Sequence, residues 1–262
     1  MNRLDGLSAI VTGAGSGFGA ATARAFVAEG ARVELADINL EAVGQVADEL
    51  GDAAIAVRAD VRDSQSVAAM VARAVESLGG LDILVNNAGL AHKTGPITEL
   101  TEEQYHLVMD VNVKGVWLGV RHAVPVLRRR GGVILNLSSA GALTPRPNAG
   151  VYYASKAAVL NMTRALSIEL APEIRVNCVC PSLAPTNFLT GASGSAEAAA
   201  ARIAAGLPVT GIPLGRVCAP DDVAAALVFL ASPEAAYVTG VALPVDGGMS
   251  AGLTPAAPPA AR

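Results

Sequence analysis

Tyr152 and Lys156 stand four residues apart in a stretch, Tyr152–Leu170, whose apolar residues recur at helical spacing. On a helix that separation is about one turn, so both side chains leave the same face. A free phenol ionises near pH ~10 and makes a poor base at neutral pH, but a neighbouring ammonium favours its ionised form. The pair therefore reads as an acid/base that takes a proton from an alcohol or returns one to a carbonyl oxygen, with Lys156 lowering the phenol. Ser139 lies thirteen residues before Tyr152 at the end of an apolar run. Its hydroxyl can donate to the same substrate oxygen, where charge accumulates. Tyr153 and Ser138 are the immediate rivals for these two roles.

A second chemical signal is TGAGSGFG, Thr12 to Gly19, which follows the apolar run Ser8–Val11 and leads into a helix expected from Ala20. Glycines there let the backbone turn sharply and approach a pyrophosphate, whose charge meets free N–H groups and the positive end of the helix dipole. Gly13, Gly17 and Gly19 depart from the six-residue dinucleotide fingerprint, which Gly15, Gly17 and Ala20 meet loosely. Asp37 ends the next apolar run, twenty residues beyond Gly17. A carboxylate there can accept both hydroxyls of an adenosine ribose and repel a 2′-phosphate. No Arg or Lys stands beside it or at Ser16 to compensate, which points to NAD. The competing role for Asp37 is a turn or a cap on the helix from Leu40.

Strand-length apolar runs alternate with helical segments along the chain, the pattern of a parallel sheet covered on both faces. Seven strands are expected at Ser8–Val11, Arg32–Ala36, Ala54–Arg58, Ile83–Val85, Val133–Leu137, Arg175–Val179 and Val241–Val245. Helices are expected at Ala20–Glu29, Leu40–Leu50, Gln65–Leu78, Glu102–Arg129, Tyr152–Leu170 and Asp222–Leu230, the fourth kinked at Pro125. The fold class is α/β, a three-layer doubly wound Rossmann fold with a mostly seven-stranded parallel sheet flanked by helices. Residues 1–252 read as one domain, with a covering segment and short helix at about 186–214, and 253–262 as a flexible Ala/Pro-rich tail.

With Asp60-Val61, Asn86-Asn87-Ala88-Gly89, Asn112 in VNVKG, Ser138-Ser139, Tyr152-x-x-x-Lys156 and VDGG at Val245–Gly248, the chain resembles the classical short-chain dehydrogenase/reductase family from Leu7 to Met249. The resemblance implies that Lys156 also holds the nicotinamide ribose and that Asn112 fixes a water linking Lys156 to solvent. It implies cofactor contacts from Gly13, Ser16, Gly17, Phe18, Gly19, Asp37, Ile38, Asp60, Val61, Asn87, Ala88, Gly89, Tyr152, Lys156, Pro181, Ala184 and Thr186. It also implies a homotetramer, with the Glu102 and Tyr152 helices packing pairwise and the final strand forming another contact. The family's interval to Tyr152 favours Ser139 over Ser138, and its Tyr–Lys spacing favours Tyr152 over Tyr153. After the sixth strand the chain departs from the family's Pro-Gly pattern, with Ser182 replacing glycine and Ala184 standing where Val or Ile is usual.

The expected activity is an NAD-dependent interconversion of a secondary alcohol and its ketone. The alternatives are an NADPH-linked ketone or 3-oxoacyl reductase and a catalytically silent NAD-binding regulator. Sugar-nucleotide epimerisation is disfavoured by the short remainder after VDGG, and enoyl reduction by that branch's wider Tyr–Lys spacing. His92 at the cavity mouth, Ser139, Arg146, Tyr152 and Phe188 are the substrate-contact candidates; His106 and His122 read as packing or surface residues. The few charges of the covering segment imply a small, neutral, partly apolar substrate. A formal charge of −4 and a pI near 5.4 give no basic surface for nucleic acid. Cys178 and Cys180 read as buried hydrophobes on one strand face, and no metal site is expected. No run is long enough to span a bilayer, and a cytoplasmic location is the default expectation.

Overall fold

The computed structural model describes residues 2–186, 192–207, 209 and 211–252, so Phe188, parts of the covering segment and the expected tail lie outside the described residues. Seven strands form one parallel sheet: β1 (Ser8–Thr12), β2 (Arg32–Asp37), β3 (Ala54–Arg58), β4 (Ile83–Asn86), β5 (Gly132–Leu137), β6 (Ile174–Pro181) and β7 (Ala242–Val245). Their order, β3-β2-β1-β4-β5-β6-β7, makes the sheet doubly wound. Between them run α1 (Gly17–Ala28), α2 (Leu40–Leu50), α3 (Ser64–Leu78), α4 (Glu102–Met109), α5 (Gly115–Leu127), α6 (Gly150–Glu169), α7 (Ala196–Ala204) and α8 (Pro220–Ala231).

Strand alternation sends successive side chains into different cores. Val11, Val33, Leu35 and Val85 join Phe26 of α1 and Leu227 of α8 on one face. Ile10, Ala36, Leu84 and Ile134 join Met70 of α3 and Leu118 of α5 on the other. Because both faces are covered, the strands are apolar almost throughout, the feature that made them legible. Cys178 and Cys180 are fully buried on one face of β6 against Leu160 of α6, as their spacing required. Among the described residues no helix is long and apolar enough to cross a membrane.

Two expected helix boundaries are corrected. The first helix begins at Gly17 rather than Ala20, so Gly17 to Gly19 form its first turn, where glycine's low helix propensity hid it. The expected helix Glu102–Arg129 is divided by a π-helical turn at Asp110–Lys114, while Pro125 sits in the last turn of α5. A π turn inserts one extra residue and re-aims the side chains around it. Here it carries Asn112 inward, with no signature in sequence.

Glu34 of β2 is fully buried against the α3 face, and neither carboxylate oxygen has a hydrogen-bond partner. Burial pushes its pKa up to about 8, only partly opposed by the charge of Arg73. The folded state therefore keeps a proton that the unfolded chain releases near pH ~4.3. This linkage is fully favourable below that pH and is lost as pH rises through about 8. Glu34→Gln is expected to raise the stability measured by urea denaturation at pH 8 by several kcal/mol, on the order of 4. It should also flatten the decline of wild-type stability between pH 6 and 9; an unchanged decline would place its source elsewhere.

Candidate active site

Sheet order reverses between β1 and β4, and the loops leaving their carboxyl ends open a crevice. Asn87 stitches the two loops together: its amide donates to the carbonyls of Thr12 at 2.7 Å and Gly13 at 3.0 Å. In return the Thr12 hydroxyl accepts the backbone N–H groups of Asn87 and Ala88 at 3.0 and 3.1 Å. This approach leaves no room for side chains. A Cβ on Gly13, which has φ +66°, would lie 2.9 Å from the Ala88 Cα, and one on Gly19 would collide with the Gly13 carbonyl. Across the crevice, Thr186 lies 3.2 Å from where a Cβ on Gly17 would sit, so a side chain at Gly17 would narrow the cleft. Ser16 is the N-cap of α1 but makes no side-chain cap, which leaves the first-turn N–H groups facing the cleft.

Asp37 forms the next part of the wall. One carboxylate oxygen accepts the Gly15 N–H and the other the Asn39 N–H, each at 3.0 Å. Helix α2 is capped instead by Asn39, which accepts from Ala42 N, so the capping role considered for Asp37 belongs to its neighbour. Arg58 stands opposite Asp37 in the β2–β3 register, yet among the described residues no ion pair joins them. Asp60 is held by Arg62 through bonds of 2.9 Å from Nε and 2.7 Å from Nη2, which keep its carboxyl below the ordinary range. Backbone cradle, open helix end and acidic group on the next strand together fit a dinucleotide.

Behind this wall the protonic groups converge. Lys156 is buried, and its Nζ donates to the Leu137 carbonyl at 2.8 Å. The Ser138 hydroxyl donates to the Lys156 carbonyl, also at 2.8 Å, pinning α6 to the end of β5 twice. Gly89 makes space for the ammonium, since a Cβ there would lie 3.1 Å from Nζ. Tyr152 is half-buried and lines the cleft; the protein packed about its hydroxyl pushes the phenol up to about 12, and a hydrogen bond with Ser139 opposes that rise. Burial likewise lowers the Lys156 ammonium to about 8. The expectation that Lys156 lowers the phenol is corrected here: its Nζ is engaged by Leu137, and burial dominates Tyr152. The phenol is thus held protonated, poised to donate. Tyr153 packs its ring over Gly141, where any Cβ would strike it.

Asn112 joins these parts from behind. Fully buried on the π turn, it accepts from Leu90 N and donates to Leu90 O and the Ser155 hydroxyl, each at 2.9 Å. Ser155 was not singled out in sequence, nor was the buried chain Asn86–Asn136–Thr163, linked at 2.9 Å per step between β4, β5 and α6. Serines and asparagines in buried elements give no pattern beyond their polarity.

One cavity of about 710 Å³ gathers the candidates named from sequence. Gly19 and Asn112 stand behind its wall, and Phe188 lies outside the described residues. Ile38, 54% exposed, forms the outer rim, and Val61 packs against Gly115 as well as facing the cavity. Pro181, Ala184 and Thr186 all reach it despite the Ser182 substitution, whose hydroxyl is buried without a partner. His92 bonds through Nδ1 to the Lys93 carbonyl at 2.7 Å, leaving Nε2 buried and unpartnered.

A family model described as enoyl-(acyl carrier protein) reductase matches residues 13–250. Meso-2,3-butanediol dehydrogenase of Serratia marcescens is 39% identical over 252 residues, covering 95% of this chain and 96% of its own. Cis-4-hydroxycyclohexanecarboxylate dehydrogenase of Sinomonas cyclohexanicum is 40% identical over 248 residues, covering 93% and 96%. The solved structure of a 3-ketoacyl-(acyl-carrier-protein) reductase from Brucella melitensis, complexed with NADH, superposes with a TM-score of 0.86 at 42% identity, covering 94% of this chain and 99% of that one. The fold and cleft define an oxidoreductase that works with a nicotinamide dinucleotide. The chain belongs to the short-chain dehydrogenase/reductase family.

Replacing Asn112 with Ala strands both polar groups of Leu90 and removes the bond that the Ser155 hydroxyl accepts, leaving that hydroxyl only its donation to the Tyr152 carbonyl at 2.7 Å. The expected cost is about 2–3 kcal/mol of stability by denaturant titration. Activity at a temperature where the variant stays folded should fall further than this loss accounts for, because the Leu90 loop faces the cleft. Activity that simply follows the folded fraction would confine Asn112 to folding.

Proposed function

We propose that this chain is an NAD-dependent dehydrogenase that interconverts a secondary alcohol and its ketone. The observation that carries the reading is the single cavity running from Asp37 and the glycine loop at one end to Ser139, Tyr152 and Lys156 at the other. A bound nicotinamide would exchange the hydride. The protein's residues handle the proton and the geometry. Gly13 to Phe18 would receive the pyrophosphate, Asp37 the adenosine ribose, and Thr186 with Ala184 the far wall of the nicotinamide end. In ketone reduction Ser139 donates to the carbonyl oxygen and Tyr152 delivers its proton as charge develops there. In alcohol oxidation the direction reverses: Tyr152 must first release its own proton to solvent, which the high phenol pKa makes rare at neutral pH and more frequent as pH rises. Lys156 completes the set by holding the nicotinamide ribose and offering a buried ammonium near the phenol.

A 3-oxoacyl reductase linked to NADPH is the second reading; the name of the Brucella relative and the protonated phenol favour its reduction of a ketone, while that relative was solved with NADH rather than NADPH. Asp37 argues against NADPH, since its carboxylate would face the added phosphate. We place the enzyme in the cytoplasm as a homotetramer. Exposed Tyr105 on α4 and Ile168 on α6 support pairwise packing of these helices.

The catalytic efficiency with NAD⁺ should exceed that with NADP⁺ by at least about tenfold, and Asp37→Ala should narrow the gap. Steady-state kinetics with both cofactors read this directly, and a preference for NADP⁺ would reverse the assignment. Tyr152→Phe should lower kcat by about 10²–10⁴ while NADH affinity, read by fluorescence titration, holds. In wild type, oxidation should speed up from pH 7 to 9.5 while reduction holds, because a phenol near 12 keeps its proton across that range. A Tyr152→Phe enzyme with undiminished turnover would transfer the proton role elsewhere.

A further inference from the structure

The substrate end of the cavity carries a fixed positive charge that the proton chemistry leaves unused. Arg146 lies on the loop between β5 and α6, six residues before Tyr152, and lines the same cavity. Pro145 and Pro147 flank it. The ring of each proline fixes its own φ, and Pro147 restricts Arg146 to extended backbone. Asn148 then turns the chain with φ +69°, and its carbonyl accepts the Gly95 N–H at 2.9 Å. The arginine is therefore presented from a stiffened loop.

Its guanidinium has little to hold it. Arg146 Nη2 contacts Met249 Sδ at 3.1 Å, and a thioether is a weak acceptor for one of five available N–H groups. Met249 itself sits on a turn fixed by Asp246, which is buried and accepts from Gly248 N at 2.9 Å and Ser250 N at 2.8 Å. The same Nη2 comes 4.0 Å from where a Cβ on Gly211 of the covering segment would lie, so the guanidinium occupies the lip between turn and segment. Arg3, Arg24, Arg62 and Arg216 each have a carboxylate partner at 2.5–2.7 Å. Arg146 has none among the described residues, and neither do others such as Arg58 and Arg121; Arg146 differs from those two in lining the cavity. The cavity's described carboxylates are Asp37 and Asp60, both at the nucleotide end, and Asp60 is already paired with Arg62.

We propose that this enzyme acts on a secondary alcohol that also carries a carboxylate, with Arg146 binding the carboxylate while the carbinol carbon sits at Tyr152. The proposal rests on the oxidoreductase reading above and names its substrate class. It departs from the neutral substrate expected from the covering segment, because the charge comes from the loop between β5 and α6 and not from that segment's own residues. A guanidinium matches a carboxylate with two parallel N–H bonds. Its stiffened loop reduces the ordering cost of that contact, so the anion fixes orientation as well as affinity.

The test pairs hydroxy acids with their neutral amides: 4-hydroxypentanoate and 5-hydroxyhexanoate against the corresponding amides, with NAD⁺ and NADP⁺, in wild type, Arg146→Met and Arg146→Lys. At least one acid should exceed its amide more than tenfold in kcat/KM, chiefly through KM. That ratio should fall toward one in Arg146→Met and stay intermediate in Arg146→Lys. A parallel readout without turnover is the rise in melting temperature caused by 4-oxopentanoate and by 4-oxopentanamide, expected to favour the acid in wild type alone. Amides oxidised as well as acids, or a preference unchanged in Arg146→Met, overturn the carboxylate site and leave the dehydrogenase standing. An Arg146-dependent thermal shift with no alcohol oxidised under either cofactor supports the site and overturns the dehydrogenase reading.

Discussion

The pinning of α6 to the end of β5 is the constraint on which the rest of the structure depends. Two bonds of 2.8 Å make it: the Lys156 ammonium on the Leu137 carbonyl and the Ser138 hydroxyl on the Lys156 carbonyl. Leu137 is the last residue of β5, and Ser139 follows two positions later. Fixing Lys156 there places Tyr152, one helical turn earlier, beside Ser139. Neither the strand nor the helix could present those hydroxyls to one oxygen without the other. The ammonium is drawn out of water to do this, and burial lowers its proton affinity to about 8. An ordinary surface lysine would have neither the position nor that sensitivity.

Polar groups buried near the cleft are satisfied by one another, which is why they can be buried at all. Asn87 holds the glycine loop, Asn112 holds Leu90 and Ser155, and the Asn86–Asn136–Thr163 chain crosses from sheet to helix. Each acts through geometry, by fixing a loop or helix against a strand end. Glu34 is the contrast. It faces α3 from the middle of β2, has no partner among the described residues, and accommodates burial by keeping its proton. Near the site, rigidity comes from reciprocal hydrogen bonds; at Glu34 the fold tolerates an isolated carboxyl because neutralisation limits its cost.

Much of this was legible in the chain. Strands buried on both faces are apolar runs bounded by turn residues, so all seven were placed within two residues of their observed ends. Tyr152, Lys156, Ser139, Asp37 and the glycines were legible because their chemistry demands particular residue types at particular spacings. The start of α1 at Gly17 was hidden because glycine carries a low helix propensity. The π turn at Asp110–Lys114 was hidden because an inserted residue leaves the local apolar rhythm almost intact. Ser155 and Thr163 were illegible because nothing in a lone hydroxyl reveals whether a partner waits forty residues away or none does.

The sequence by itself determined the layered α/β class and singled out the residues that line the two ends of the cleft, since these follow from periodicity and from residue chemistry. Tertiary structure alone decided which way the pKa values move. Spacing along a helix brings Lys156 near Tyr152, but the Leu137 carbonyl and the depth of burial govern each group's charge. It also decided that Arg146 faces the cavity without a carboxylate partner among the described residues. Charge pairing depends on which side chains meet across loops distant in sequence, and no local pattern encodes that meeting.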